Sequence, residues 1–168
     1  GTTWAPVVFS GGHETDRRDG GRPVALIASA LGAPPQVFRE AFSHVRPAPA
    51  GTRPDPAQVR LNKQALLAAL SRYGVTNERL DIVSNYYRYN RSRGEMWPTV
   101  PAVAYALVKD GTVVRFAVTK GGAGYSSPPT VTIPGVNNVV AKAQLLFSQS
   151  SNTNGSVAAI MFAPAPRQ

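Results

Sequence analysis

Two periodicities divide the chain. Up to about residue 99, apolar residues recur at the three-to-four spacing of helices; from residue 100 onward they alternate with period two. Pro23 to Leu31 starts with proline at a first helical position and stops at Gly32. Pro34 opens a second pattern, with Val37, Phe38, Ala41, Phe42 and Val45 on one face. Residues 46–56 hold four prolines, at 47, 49, 54 and 56, and read as a connector. Asp55 then stands as an N-cap before Pro56, with Gln58 placed to complete a capping box. That helix runs through Val59, Leu66, Leu67 and Leu70 to Tyr73 and stops at Gly74. Thr76 caps a further helix striped by Leu80, Val83 and Tyr87, with Val75 stapling onto Leu80 and an end near Asn90. Ahead of all this, Thr2 to Ser10 contains Val7-Val8-Phe9, a short strand pattern, and Gly11 to Gly21 is a charged, glycine-bounded loop.

Past Trp97-Pro98, Val103 to Val108 and Thr112 to Thr119 flank Asp110-Gly111, a strong hairpin-turn dipeptide. Val131 to Ile133 is bounded by prolines, as an edge or bulged strand is. Val139 to Phe147 alternates apolar and polar residues, and Gly155 to Phe162 reads as a last strand. Ala104 to Val108 matches Ala141 to Leu145 in pattern, and Gly111 to Val118 matches Gly155 to Phe162. The expectation is therefore an α+β fold: an N-terminal helical half of about four helices (residues 1–99) packed with a small C-terminal antiparallel β-sheet (residues 100–168). Two related hairpins would build that sheet, in one compact unit or two closely packed subdomains.

The segment Gly111 to Ile133, GTVVRFAVTKGGAGYSSPPTVTI, resembles the β-repeat G-x-V-x-x-x-x-V-x-x-G-G-x-G-Y-x-x-x-P-x-V-x-I. That repeat recurs in bacterial surface proteins and phage structural proteins. FSGGHETD and VSNYYRYNRSRGEMWPT extend a resemblance to secreted proteins of environmental bacteria. No activity comes with either likeness. In the repeat the glycines permit positive φ, Tyr125 folds back over them, and the prolines stiffen the exit.

Composition narrows the setting. The 168 residues, 43% of them apolar, suffice for one ordinary domain. No stretch reaches the roughly 20 apolar residues of a membrane helix. No charged-then-apolar leader opens the chain, which sets the expectation of a secreted, periplasmic or cell-surface protein whose signal peptide has been removed. The lack of cysteine excludes disulfides, thiolate metal sites and a cysteine nucleophile. The net charge of +9 is spread over both halves, with 13 basic and 8 acidic residues through Thr99 and 5 basic and 1 acidic after it. Such a diffuse excess attracts polyanions weakly and carries no sequence-specific reading of DNA.

Three segments offer chemistry. His13, Glu14, Asp16 and Asp19 bring an imidazole and carboxylates within seven residues, the raw material of a divalent-cation site and a metal-assisted hydrolase centred on His13, Glu14 and Asp16. They match neither a calcium loop nor the two-histidine zinc motif; the alternative is a solvated loop tied by Arg17, Arg18 or Arg22. Residues 23–42 have the outline of a helix-turn-helix, with Gln36, Arg39, Glu40 and Ser43 where a recognition helix would read DNA. Glu40 opposes phosphate there, and Pro34-Pro35 removes donors, which favours a structural hairpin. Tyr86, Arg88, Tyr89, Arg91, Arg93 and Trp97 interleave aromatics with arginines, as surfaces that stack on rings and pair with acidic groups do. Against this, Val83 and Tyr87 would face the core and Trp97 would plug the junction with the β half. No cofactor motif is present, and Gly121 to Gly124 lacks the Lys-Ser/Thr pair and following helix of a phosphate loop. The function expected is a non-enzymatic secreted or cell-surface module. Its partner would be a polyanion, a polysaccharide or a protein, held by the arginine-tyrosine patch, with the Tyr125 turn as a second surface.

Overall fold

The computed structural model describes residues 1–45 and 52–163. Residues 46–51, which include Pro47 and Pro49 of the expected connector, and residues 164–168 lie outside the described residues. Among the described residues there are four α-helices: α1 (Val24–Leu31), α2 (Pro35–Phe42), α3 (Pro56–Leu70) and α4 (Asn77–Tyr86). Their ends follow the local chemistry. Gly32 closes α1 at φ 76°, where its N–H bonds back to the last turn. Asp55 caps α3 by accepting from Ala57 N at 3.1 Å, and Thr76 caps α4 by accepting from Arg79 N at 3.2 Å. Gln58 does not complete the capping box; its amide donates instead to Asn62 at 2.9 Å. A short 3-10 turn, Ser71–Tyr73, carries α3 on to Gly74.

The strands are β1 (Thr2–Pro6), β2 (Val8–Ser10), β3 (Val103–Lys109), β4 (Thr112–Lys120), β5 (Thr130–Thr132), β6 (Ala141–Leu146) and β7 (Ser156–Phe162). They overturn the expectation of a small C-terminal sheet built from two hairpins. Both hairpins form, β3 with β4 and β6 with β7, but they sit in different antiparallel sheets, ordered β1-β3-β4 and β2-β5-β6-β7. The N-terminus supplies an edge to each. Thr2 to Pro6 pairs with Lys109 to Tyr105, Val7 N donates to Ala104 O at 2.9 Å, and Val8 to Ser10 then pairs with Thr132 to Thr130. A two-stranded hairpin is marginal alone, and the nine residues of Thr2–Ser10 extend both sheets with one run of chain. β5 likewise lies inside its sheet, between β2 and β6, and is not an edge; its flanking prolines fall outside the paired residues. Asp110 and Gly111, at φ 50° and 80°, make the turn between β3 and β4 that the dipeptide predicts.

Two cores result. Leu26, Ile27, Leu31, Phe38, Leu70, Leu80 and Val83 fill the helical one, with α1 against α2 and α4, and α2 against α3. Ala104, Ala106, Val113, Val131, Ala143, Val157 and Ile160, drawn from both sheets, fill the β one, so the sheets close over a shared interior. The glycine-tyrosine segment stitches that closure. Gly121 O accepts from Val157 N at 2.8 Å, while Gly124 N and Tyr125 N donate to Asn154 O and Gly155 O. A side chain on Gly124, at φ 89°, would run into Pro98 O at 2.6 Å. Tyr125 packs against Gly12, and its hydroxyl accepts from Ala102 N at 2.9 Å. It is buried, so it presents no second contact surface.

Candidate functional site

The arginine-tyrosine segment divides by depth. Helix α4 ends at Tyr86, and the next turn drops Tyr87 into the helical core, where burial raises its phenol pKa above the ordinary range. Its hydroxyl accepts from Asn154 Nδ2 at 2.9 Å, and the same amide donates to Leu26 O at 2.8 Å. Trp97 is 1% exposed and donates from Nε1 to Gly124 O at 2.8 Å; it presents no surface to a ligand. Around it run edge-on Tyr89, with ring centroids 5.1 Å apart, and His13, which stacks on Tyr125 at 5.2 Å. Trp97 is thus the plug between the two bodies. Tyr86 is exposed, stands edge-on to Tyr87 and does not line the groove between α3 and α4.

Arg88, Arg91 and Arg93 remain at the surface. A self-contained turn presents the last two. Asn90 Oδ1 accepts from Ser92 N at 3.0 Å, Glu95 Oε1 accepts from Asn90 N at 2.9 Å, and Gly94 ends the 3-10 turn Arg91–Arg93 at φ 72°. Tyr89 fixes this turn to the N-terminal loop: its hydroxyl donates to Gly21 O and accepts from Arg91 Nη2 at 3.3 Å.

These residues edge a groove of about 1220 Å³ bounded by α3, α4, the end of α2, the Gly20–Pro23 loop and the turn after α4. Its basic side chains are Arg22, Lys63, Arg88, Arg91 and Arg93; its acids are Asp81 and Glu95. Asp81 is taken by Lys63 at 2.8 Å, and Glu95 by the Asn90 amide. Among the described residues none of the four arginines has a carboxylate partner. Arg22 lies deepest of them, half-buried with its guanidinium 3.9 Å above the Phe42 ring centroid.

The acidic loop separates its members. Asp16 takes Arg18 through both oxygens, at 3.0 and 2.9 Å, which holds its carboxyl well below the usual range. Asp19, its side chain 3% exposed, takes Arg39 from α2 at 2.6 and 3.0 Å. Glu14 Oε2 accepts from Ser127 Oγ and from Gly12 N, and the Ser127 bond is the main cause of its lowered pKa. His13 is engaged by the aromatic rings. Among the described residues no group of three or more such side chains converges on a point where a metal would sit. The 23–42 segment does form two helices, and Arg39, which a helix-turn-helix would turn to DNA, is committed to Asp19.

Sequence reasoning missed Arg22 as a groove residue and Asn154 as the junction's polar pin. Arg22 carries one usable signal, an arginine set between Gly20-Gly21 and a helix-opening proline, where its backbone is fixed at a helix start. Asn154 carries none; it reads as one more polar residue in a hairpin loop.

No protein-family model, curated protein or solved structure matches the chain. No helix among the described residues is long and apolar enough to cross a membrane.

Proposed function

We propose that the protein is a non-enzymatic secreted or cell-surface binding module that holds an acidic polysaccharide along the groove. The observation that carries this reading is the set of four arginines around one groove, none of them paired with a carboxylate among the described residues, so that five basic side chains face the two acids Asp81 and Glu95. Guanidinium forks match carboxylate and sulfate oxyanions, and a cleft of one sign concentrates ligands of the other. The volume, above the range of about 300–1000 Å³ for small-molecule sites, suits several sugar units better than a single small metabolite. Single-stranded nucleic acid is the less favoured polyanion, because its non-specific binders offer free aromatic faces. Here Trp97 is buried, and Tyr89 is held at its ring and its hydroxyl.

A glycan and nucleic-acid array with the parent chain and Arg88→Ala/Arg93→Ala tests this. Retention on uronic-acid or sulfated glycans, weakened several-fold in the variant and by added salt, is expected. Equal binding by the variant would remove the groove rim from the contact surface. Capture by single-stranded nucleic acid alone would replace the ligand class.

A further inference from the structure

Arg22 and Arg91 approach two adjacent glycines from different parts of the chain. A Cβ placed on Gly20 would stand 3.0 Å from Arg22 Nη1, and one on Gly21 would stand 3.5 Å from the Tyr89 hydroxyl and 3.9 Å from Arg91 Nη2. Both glycines have positive φ, at 61° and 85°, so side chains are disfavoured where the two guanidiniums approach the turn. The nearest carboxylate is spoken for: Asp19 gives both oxygens to Arg39. Arg22 receives only the Asp19 carbonyl, at 3.2 Å, which engages one of its five N–H donors. Its apolar face is covered by Phe42. Burial pulls the Arg22 pKa down against the opposing pull of the Asp19 charge, so desolvation of this cation is incompletely offset within the fold. Two cations, one of them half-buried, thus flank a bare glycine turn that lines the groove.

We infer that Arg22 and Arg91 form the anchoring subsite of the groove, where one carboxylate or sulfate group of an acidic polysaccharide binds over Gly20-Gly21. This rests on the binding-module reading and adds a hierarchy to it. Arg22 is preset by Phe42 and the Asp19 carbonyl, and Arg91 is oriented by Tyr89, so little side-chain freedom is lost on binding. Arg88 and Arg93, exposed on the rim, act through the long-range field and are screened by salt.

Calorimetric titration of the whole chain with a galacturonic-acid oligosaccharide, a heparin-derived oligosaccharide and a neutral oligosaccharide of equal length tests the hierarchy. Arg22→Gln should weaken acidic-ligand binding by on the order of tenfold or more, as loss of a charged hydrogen-bond pair does. Arg22→Lys keeps the charge and the stem over Phe42 but loses the fork, and should recover only part of the loss. Arg88→Ala/Arg93→Ala should lose only a few-fold, all of it sensitive to salt. The two acidic ligands distinguish carboxylate from sulfate as the anchored group. If thermal unfolding shows that Arg22→Gln loosens the fold, Arg22→Lys decides. Parent-like binding by Arg22→Lys, and by Arg22→Gln where it is folded, with a weakened rim variant would overturn the anchor and leave the groove reading standing. Failure of the parent to bind either acidic ligand would overturn both.

Discussion

In the β body the backbone does most of the closing. Sheets share the strand run of Thr2–Ser10, the glycine segment stitches them on another side, and alanines at 104, 106 and 143 let them draw close. In the helical body large side chains do the work, and packing α1 to α4 around Leu26, Phe38, Leu70 and Leu80 leaves a groove between α3, α4 and the Gly20–Pro23 loop. The charges follow the same division. Around Glu14 the polar groups are matched to partners, whereas the groove gathers four arginines that no carboxylate among the described residues pairs, in excess over its acids Asp81 and Glu95. A surface whose polar groups are mutually satisfied holds the fold together; one with a surplus of a single charge is available to a ligand.

The sharpest way to break this division is to remove the plug between the bodies. Trp97→Ala should cost about 3–5 kcal/mol, the range for truncating a buried large aromatic. It also leaves Trp4, in β1, as the single tryptophan. Denaturant unfolding followed by Trp4 fluorescence and by far-UV circular dichroism then reports the β and helical bodies separately. Two separated transitions are expected in the variant and one in the parent; a single transition in both would mean that the bodies are coupled elsewhere.

Next in size is the polar pin. Asn154→Ala leaves Leu26 O, the Tyr87 hydroxyl and Ser148 N without this partner. Buried groups left unsatisfied make a loss of roughly 2–3 kcal/mol the expected outcome, read from denaturant midpoints. A loss below the ordinary surface value of about 0.5 kcal/mol would show that water replaces the amide.

The smallest effect concerns acid. Glu14 has a depressed carboxyl pKa in the fold, so the unfolded chain takes up its proton first. The clasp on Ser127 therefore contributes fully above the ordinary glutamate range near 4.5 and is lost as pH falls through the lowered value. Melting temperatures measured downward from neutral pH should fall less steeply in Glu14→Gln than in the parent. Parallel curves would assign the acid sensitivity to other carboxylates.

What was legible in the sequence was local. Gly32, Asp55, Gly74 and Thr76 mark helix ends through their own backbone and side-chain chemistry, and Asp110-Gly111 fixes its turn within four residues. The partition into two sheets was not legible, because it depends on Thr2 meeting Lys109 and Ser10 meeting Thr130 across more than 100 residues of chain. The site shows the same limit. The exposed arginines at 88, 91 and 93 follow from pattern, and the burial of Tyr87 from helical spacing. The partner of Asp19 proved to be Arg39 on α2 and not one of its loop neighbours, which frees Arg22 for the groove.

The shared N-terminal run also sets a timetable. While the chain is being made, residues 2–10 emerge well ahead of their hydrogen-bonding partners at 105–109 and 130–132. For most of synthesis this stretch is an unpaired strand carrying Trp4, Val7, Val8 and Phe9, with only Pro6 to interrupt it. The helices can assemble from nearby residues in that interval, but neither sheet can be completed until the strand is captured. High sequence separation of this kind slows folding, so capture of residues 2–10 is expected to be a late step on the way to the finished molecule.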